Sequence, residues 1–307
     1  MKKILKDVHE FMKGSVAFSY NGFCSDTYIY PLNLEFTIVD TDFYYKYLDE
    51  NGVPYRVYSS MGKQYNPTRI AAYGLAHYNN YIENQSEDSK KKFLSMVEWF
   101  LSKESGLYFY DFDWDDLKAP WISCMAQGEA ASLLIRAYKT TGDCIYLDHA
   151  SKSLEPLFLD IVKGGVKSLI DNKYVFLEEY PGSKNLHVLN GFLFGLIGII
   201  ETRLITNDEK LKSLEQKLVY SLVENLDKWG ESWSYYQIDA GKILKNFCTP
   251  AYHNLHISQL KFINEHHPDW RLEEKIDSWS EGSLSLSSRL AALGGKVAYR
   301  VINKAQR

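Results

Sequence analysis

The sequence predicts a mainly α chain folded as an α/α toroid, an incomplete (α/α)6-type barrel of helical hairpins with short β-hairpins and a small N-terminal β-rich or irregular extension. Three observations predict it. Helical periodicity runs from about Tyr65 to near Trp279. The helices come in pairs separated by short strand-like segments, with a repeat of roughly 55 residues. The composition is that of a globular protein, 45% hydrophobic and 24% charged, yet 15% is aromatic and its 23 Tyr outnumber its 19 Gly. Residues 1–60 read as a helix plus β-rich extension and 61–307 as the toroid.

Each element has a local cause. Residues 1–14, MKKILKDVHEFMKG, form a short amphipathic helix. Residues 24–57 carry β character in TYIYPLNLEFTIVD, and Gly52 and Pro54 turn the chain into YRVYSS. Asn66 is placed to cap a helix whose first residue is Pro67, where a missing N–H costs nothing. That helix runs RIAAYGLAHYNNYI, and a second covers about 88–102. A strand is expected over Gly106–Trp114. A third helix follows from about Ser123 to Gly142, and a fourth is capped by Asp143 and ended by Gly164–Gly165. Residues 174–179 read as a strand, Pro181–Gly182 as a turn, and 188–204 and 208–226 as helices five and six. ESWSYYQI (231–238) reads as a strand. A seventh helix starts at Pro250, an eighth runs from Asp269 to near Trp279, and weaker structure is expected from Gly282 on.

Composition excludes several functions. The net charge of -4, from 35 basic and 39 acidic residues, argues against a nucleic-acid partner. Residues 1–14 lack an apolar h-region and a cleavage site, so a cytoplasmic protein is expected. The longest apolar stretch, 188–200, is shorter than the roughly 20 residues of a membrane span and is expected to be a buried helix. Cys24, Cys124, Cys144 and Cys248 show no metal spacing and read as free thiols. No GxGxxG fingerprint is present, and neither a metal nor another cofactor is expected.

Four segments can carry chemistry. In LEEYPG, strand alternation sends Glu178 and Glu179 to opposite sides and puts Glu178 with Tyr180. Two such carboxylates cannot flank one glycosidic bond, which argues against a glycosidase pair. In SWSYYQI, Tyr235 and Tyr236 face opposite ways. In PAYHNLHISQL, helical spacing crowds Tyr252, His253 and His256 together. A metal there needs a third ligand, and the spacing of His77 and His187 supports none. In APWISCMAQGEAASLLIRAY, Trp121 precedes the helix and Gln127 and Glu129 lie in its first two turns, a polar end that invites a ligand. For each segment the plain alternative is a core aromatic, a solvated charge or a hydrogen-bonded first-turn residue.

Together with QYNPTRIAAYGLAHYNNY and EEYPGSKNLHVLNGFLFGLIGI, these stretches resemble the C-terminal domain of the D-glucuronyl C5-epimerases, over most of residues 65–264. The resemblance implies an α/α toroid that converts glucuronate to iduronate residues in a heparosan-type glycan. It also implies a tyrosine mechanism, with Tyr180, Tyr236 and Tyr252 as the acid/base set and Glu179 assisting. Gln64, Asn66, Trp121, Gln127, Glu129, Asn190, His253 and His256 are the expected cleft wall, and a homodimer is implied. One position departs from the family pattern: Asp239 stands where an arginine often holds the uronate carboxylate, which leaves Arg69, His253 and Lys184 as replacements. Chemically, C5 epimerisation requires two acid/base groups on opposite faces of the ring. A phenol of pKa about 10 has to be lowered to act as base. A uronate lyase and a non-catalytic glycan binder are the alternatives.

Overall fold

The computed structural model describes residues 2–13, 17–238 and 244–305. The chain begins with α1 (Lys2–Lys13), α2 (Glu35–Val39) and α3 (Thr41–Tyr44). A three-stranded antiparallel sheet follows, ordered β1 (Tyr47–Leu48), β2 (Pro54–Tyr58), β3 (Gly62–Tyr65). Helices α4 (Pro67–Asn84), α5 (Glu87–Leu101), α6 (Cys124–Thr141) and α7 (Ile145–Leu154) form two hairpins. The β4 (Lys167–Ile170)–β5 (Tyr174–Leu177) ribbon leads into α8 (Leu189–Thr206) and α9 (Glu209–Asn225). The chain ends with α10 (Pro250–His266), α11 (Trp270–Leu284) and α12 (Leu286–Ala305).

Four hairpins are laid side by side. The first helices, α4, α6, α8 and α10, pack on one another in sequence order as an inner arc, and α5, α7, α9 and α11 cover them from outside. α2 packs on α4, while α1 packs on α10 and α12, so both ends of the chain fill the ring between α10 and α4. The toroid expected from periodicity is therefore present.

The start and stop signals work as the residue chemistry requires. Asn66 accepts the Arg69 N–H at 3.1 Å and Pro67 occupies the first position of α4. Gly142 ends α6 at φ 78°. Asp171 and Asn172 take positive φ (51° and 56°) in the β4–β5 turn, where short polar side chains tolerate it. In α8, residues 189–202 are all buried. By length and composition this is the one helix among the described residues able to cross a membrane, but here it is the inner helix between α6 and α10. It passes α6 closely because a Cβ on Gly198 would lie 2.4 Å from the Gly128 carbonyl oxygen.

Five expectations fail. The β-like run 27–40 contains α2 rather than a strand, because Tyr30, Leu32 and Leu34 are buried against the toroid and tertiary packing overrides β propensity. Gly106–Trp114 and 231–238 are loops held by single bridges, such as Tyr110 to Trp121 and Val188 to Gln237. The fourth helix stops at Leu154, since Pro156 lacks the N–H that would continue it. The tail forms a 20-residue helix, α12, which docks on α1 and α11.

Candidate active site

Two cavities of about 620 and 360 Å³ share Thr68, Arg69, Met125, Asn190 and Tyr252 in their walls and form one cleft along the inside of the ring. First-turn residues of all four inner helices line it: Thr68 and Arg69 of α4, Met125 of α6, Asn190 of α8 and Tyr252 of α10. Each helix brings the positive end of its dipole to the cleft, a setting that favours an anion.

Glu179 and Tyr180 lie just past β5. Glu178 accepts from Ser168 Oγ (2.6 Å) and from the His187 backbone N–H (3.0 Å), and is wholly buried on the far side. Glu179 faces the cleft, as alternation predicts. Tyr180 does not stay with Glu178. The strand ends at Leu177, and the chain turning toward Pro181 swings Tyr180 to the cleft beside Glu179. A Cβ on Gly191 would meet Glu179 Oε2 at 2.5 Å, so that glycine leaves the room the carboxyl occupies.

A chain of hydroxyls follows. The Tyr180 hydroxyl lies beside both the Glu179 carboxyl and the Tyr236 hydroxyl. The Tyr236 and Tyr252 rings meet edge to face, centroids 5.7 Å apart. Trp121 leans on Tyr180 (6.1 Å) and stacks on Tyr110 (4.0 Å, 5°), whose hydroxyl lies 2.8 Å from Thr68 Oγ1. Tyr235 faces the other way, against Phe247.

Burial dominates the electrostatics. It raises the Glu179 carboxyl to about 7, against a hydrogen bond from Tyr180 that lowers it and with Glu178 adding repulsion. Burial, then Glu179, raise Glu129 well above the carboxylate range. Burial, then Glu179, hold Tyr180 and Tyr236 well above 10 and bring Tyr252 to about 12. Tyr252 keeps 42% of its surface open to the cleft, so water reaches it more than it reaches Tyr236. None of the three phenols is lowered, contrary to the expectation that one of them be lowered to act as base.

Arg69 stands between the two cavities, its Nε buried without a partner and its guanidinium over the Tyr45 ring at 5.2 Å. Burial, then the like charge of Arg56, push it below its ordinary value. Among the described residues neither arginine makes an ion pair.

The expected wall divides in two. Asn66, Trp121, Glu129 and Asn190 line the cleft, and the Asn190 amide approaches Glu179 Oε2 at 3.5 Å. Gln64, Gln127, His253 and His256 do not. Gln64 donates to the Met61 carbonyl. Gln127 is fully buried and clasps the Tyr108 backbone, because a carboxamide matches one donor and one acceptor. His253 accepts from the Ser234 N–H (3.1 Å) and reaches the Trp279 carbonyl (3.0 Å), and His256 bonds Ser234 Oγ (3.0 Å). Burial lowers them to about 4 and about 3. α10 thus turns Tyr252 to the cleft and both histidines to the core. Lys184 is exposed away from the cleft, and Asp239 lies outside the described residues. Sequence reasoning missed Arg56, Tyr58, Thr68 and Tyr110. The alternation in YRVY gave a signal for the first two, because it places Arg56 and Tyr58 on one face of β2.

Residues 102–281, more than half the chain, match the profile of the D-glucuronyl C5-epimerase C-terminus. The chain belongs to the D-glucuronyl C5-epimerase C-terminal family. It is similar to the D-glucuronyl C5-epimerase of Caenorhabditis elegans, 30% identical over 52% of this chain and 28% of that protein. It also matches an uncharacterised protein of Methanocaldococcus jannaschii, 24% identical over 59% of this chain and 56% of the other. It therefore spans little more than a quarter of the worm enzyme and about half of the archaeal protein. Among solved structures it resembles a UGL variant described with dGlcA-Glc-Rha-Glc, at a TM-score of 0.50 and 14% identity over 73% of this chain and 61% of that one, a likeness of fold. The family match covers Trp121, Glu179, Tyr180, Asn190, Tyr236 and Tyr252, while Arg56, Asn66, Thr68 and Arg69 precede it.

Proposed function

We propose that the protein is a uronosyl C5-epimerase that converts D-glucuronate to L-iduronate residues within a glycan. The observation that carries the reading is the run Glu179–Tyr180–Tyr236–Tyr252 beside two cations that have no acidic partner among the described residues. Arg56 and Arg69, with the four helix N-termini, suit the uronate carboxylate. They would stabilise the negative charge that builds on it when the C5 proton leaves.

Tyr180 and Tyr252 both line the cleft, and Tyr236 links them from behind. Because the phenols are raised, Tyr180 works through Glu179. As the C5 proton passes to the Tyr180 oxygen, the Tyr180 proton passes to Glu179, whose pKa of about 7 suits a base at neutral pH. Tyr252 then gives its proton to C5 from the opposite face. Exchange with solvent in the open cleft returns Glu179 to the carboxylate and Tyr252 to the phenol, so the site resets without a redox change. No cofactor is needed.

The test is solvent exchange. With heparosan in heavy water, NMR should show deuterium at C5 and new iduronate couplings. Tyr180→Phe and Tyr252→Phe should each lower turnover by about 10²–10⁴-fold, the size of an acid/base contribution. A new absorbing double bond would replace the reading with a lyase. Binding without exchange would make the protein a glycan receptor.

A further inference from the structure

The larger cavity extends beyond Arg69, away from Tyr180. There its wall is Phe18, Phe36, Phe43, Tyr44 and Tyr45, with Glu129 beneath. We propose that this is a second saccharide subsite, which seats an uncharged sugar adjacent to the reacting uronate. The assignment rests on the reading above.

Three observations carry it. The cavity continues directly from the proposed catalytic cleft through shared walls, and at about 620 Å³ it falls within the range of small-molecule pockets. Its aromatic side is a connected set, with Phe36 meeting Phe18 at 5.0 Å and Tyr44 at 5.4 Å, and Phe43 meeting Tyr44 at 4.8 Å. Rings with apolar faces and polar tips suit the C–H face of a pyranose. Glu129 is 1% exposed, lines the cavity, and its Oε2 has no partner. A carboxyl held protonated offers one O–H donor and one carbonyl acceptor, a match for a hydroxyl or an N-acyl group rather than a cation.

The aromatic wall comes from residues 18–45, and the far margin from Asp7 and Arg300, paired at 2.8 Å. All lie outside the 102–281 that match the family, while Glu129 lies within it.

The experiment compares methyl β-D-glucuronide, a uronate with no neighbouring sugar, with a heparosan tetrasaccharide, reading C5 exchange as kcat/KM and affinity by calorimetry. The intact chain should favour the tetrasaccharide. Phe43→Ala should cut that preference by roughly three- to tenfold, the size of one stacking contact. Phe43 is 57% exposed, so the change leaves the core alone. Glu129→Gln keeps a neutral donor and acceptor and should retain most of the preference, whereas Glu129→Leu should lose it. Equal treatment of the two lengths by the intact chain, or an unaltered preference in Phe43→Ala, overturns the subsite. If neither length exchanges, the epimerase reading fails, and calorimetry still decides the subsite: length-dependent affinity supports it, and equal affinity or no binding overturns it.

Discussion

Buried charges stand at both ends of the α6–α8 pair, and the two ends are treated in opposite ways. More than three turns into α6, Arg136 grips Glu201 of α8 through both terminal guanidinium nitrogens, at 2.7 and 3.0 Å, and neither side chain is exposed. At the cleft end, Glu129 and Glu179 are also buried, but among the described residues neither has a cation paired with it and Arg69 has no carboxylate. Burial is common to both ends, so burial alone does not mark a site. Pairing separates them. The satisfied end joins two helices, and the unsatisfied end keeps its hydrogen-bonding capacity for something that enters.

The largest effect expected is at the satisfied end. Arg136→Met leaves Glu201 buried without its partner, a loss of about 3–5 kcal/mol. Urea unfolding should show it as a lower midpoint at unchanged slope. A loss below about 1 kcal/mol would mean that the pair does little to join the helices.

The unsatisfied end should behave in the reverse sense. The Glu179 carboxyl sits at about 7, above the ordinary 4.5, so the folded protein holds that proton more tightly than the unfolded chain does. Below 4.5 both states are protonated and the group contributes nothing. As pH rises from 4.5 through 7 the folded state is progressively penalised, and above 7 the penalty is constant. At about 1.4 kcal/mol per pKa unit it amounts to roughly 2–4 kcal/mol. Glu179→Gln removes it. The variant should lose turnover yet be more stable than its parent at pH 8, with the advantage fading toward pH 5. Parallel stability curves for the two proteins would show that the carboxyl is not strained.

Much of this was legible in the sequence, because its strongest signals are local. Asn66–Pro67, Gly142, Asp208 and Asp269 set helix ends through hydrogen bonds within a few residues. Glu179, Tyr236 and Tyr252 followed from the resemblance, and strand alternation separated Glu178 from Glu179. What failed depended on distant partners. Whether His253 faces the cleft or the core is decided by Ser234 and Trp279, 19 and 26 residues away in the chain. The same holds for Gln127, whose role is fixed by the Tyr108 backbone. The raised phenols were not legible either, since desolvation comes from packing that no spacing encodes.

Two glycines on α8 give the finest version of the contrast. An ideal Cβ on Gly198 lies 2.4 Å from the Gly128 carbonyl oxygen and 2.6 Å from its Cα, so only backbone stands in the way. Gly198→Ala must push α6 and α8 apart, at about 1–3 kcal/mol or more. On Gly191 the Cβ meets the Glu179 side chain, at 2.5 Å from both Cβ and Oε2. The Glu179 Cβ has to shift with its backbone, yet the segment past β5 borders the open cleft rather than a second helix, so Gly191→Ala should cost less than Gly198→Ala in unfolding while displacing the group proposed to relay the C5 proton. The two variants should therefore rank oppositely, Gly198→Ala lower in urea midpoint and Gly191→Ala lower in kcat. If Gly191→Ala keeps the parental kcat, Glu179 is not held in place by the space beside α8, and its part in the relay would not depend on that position.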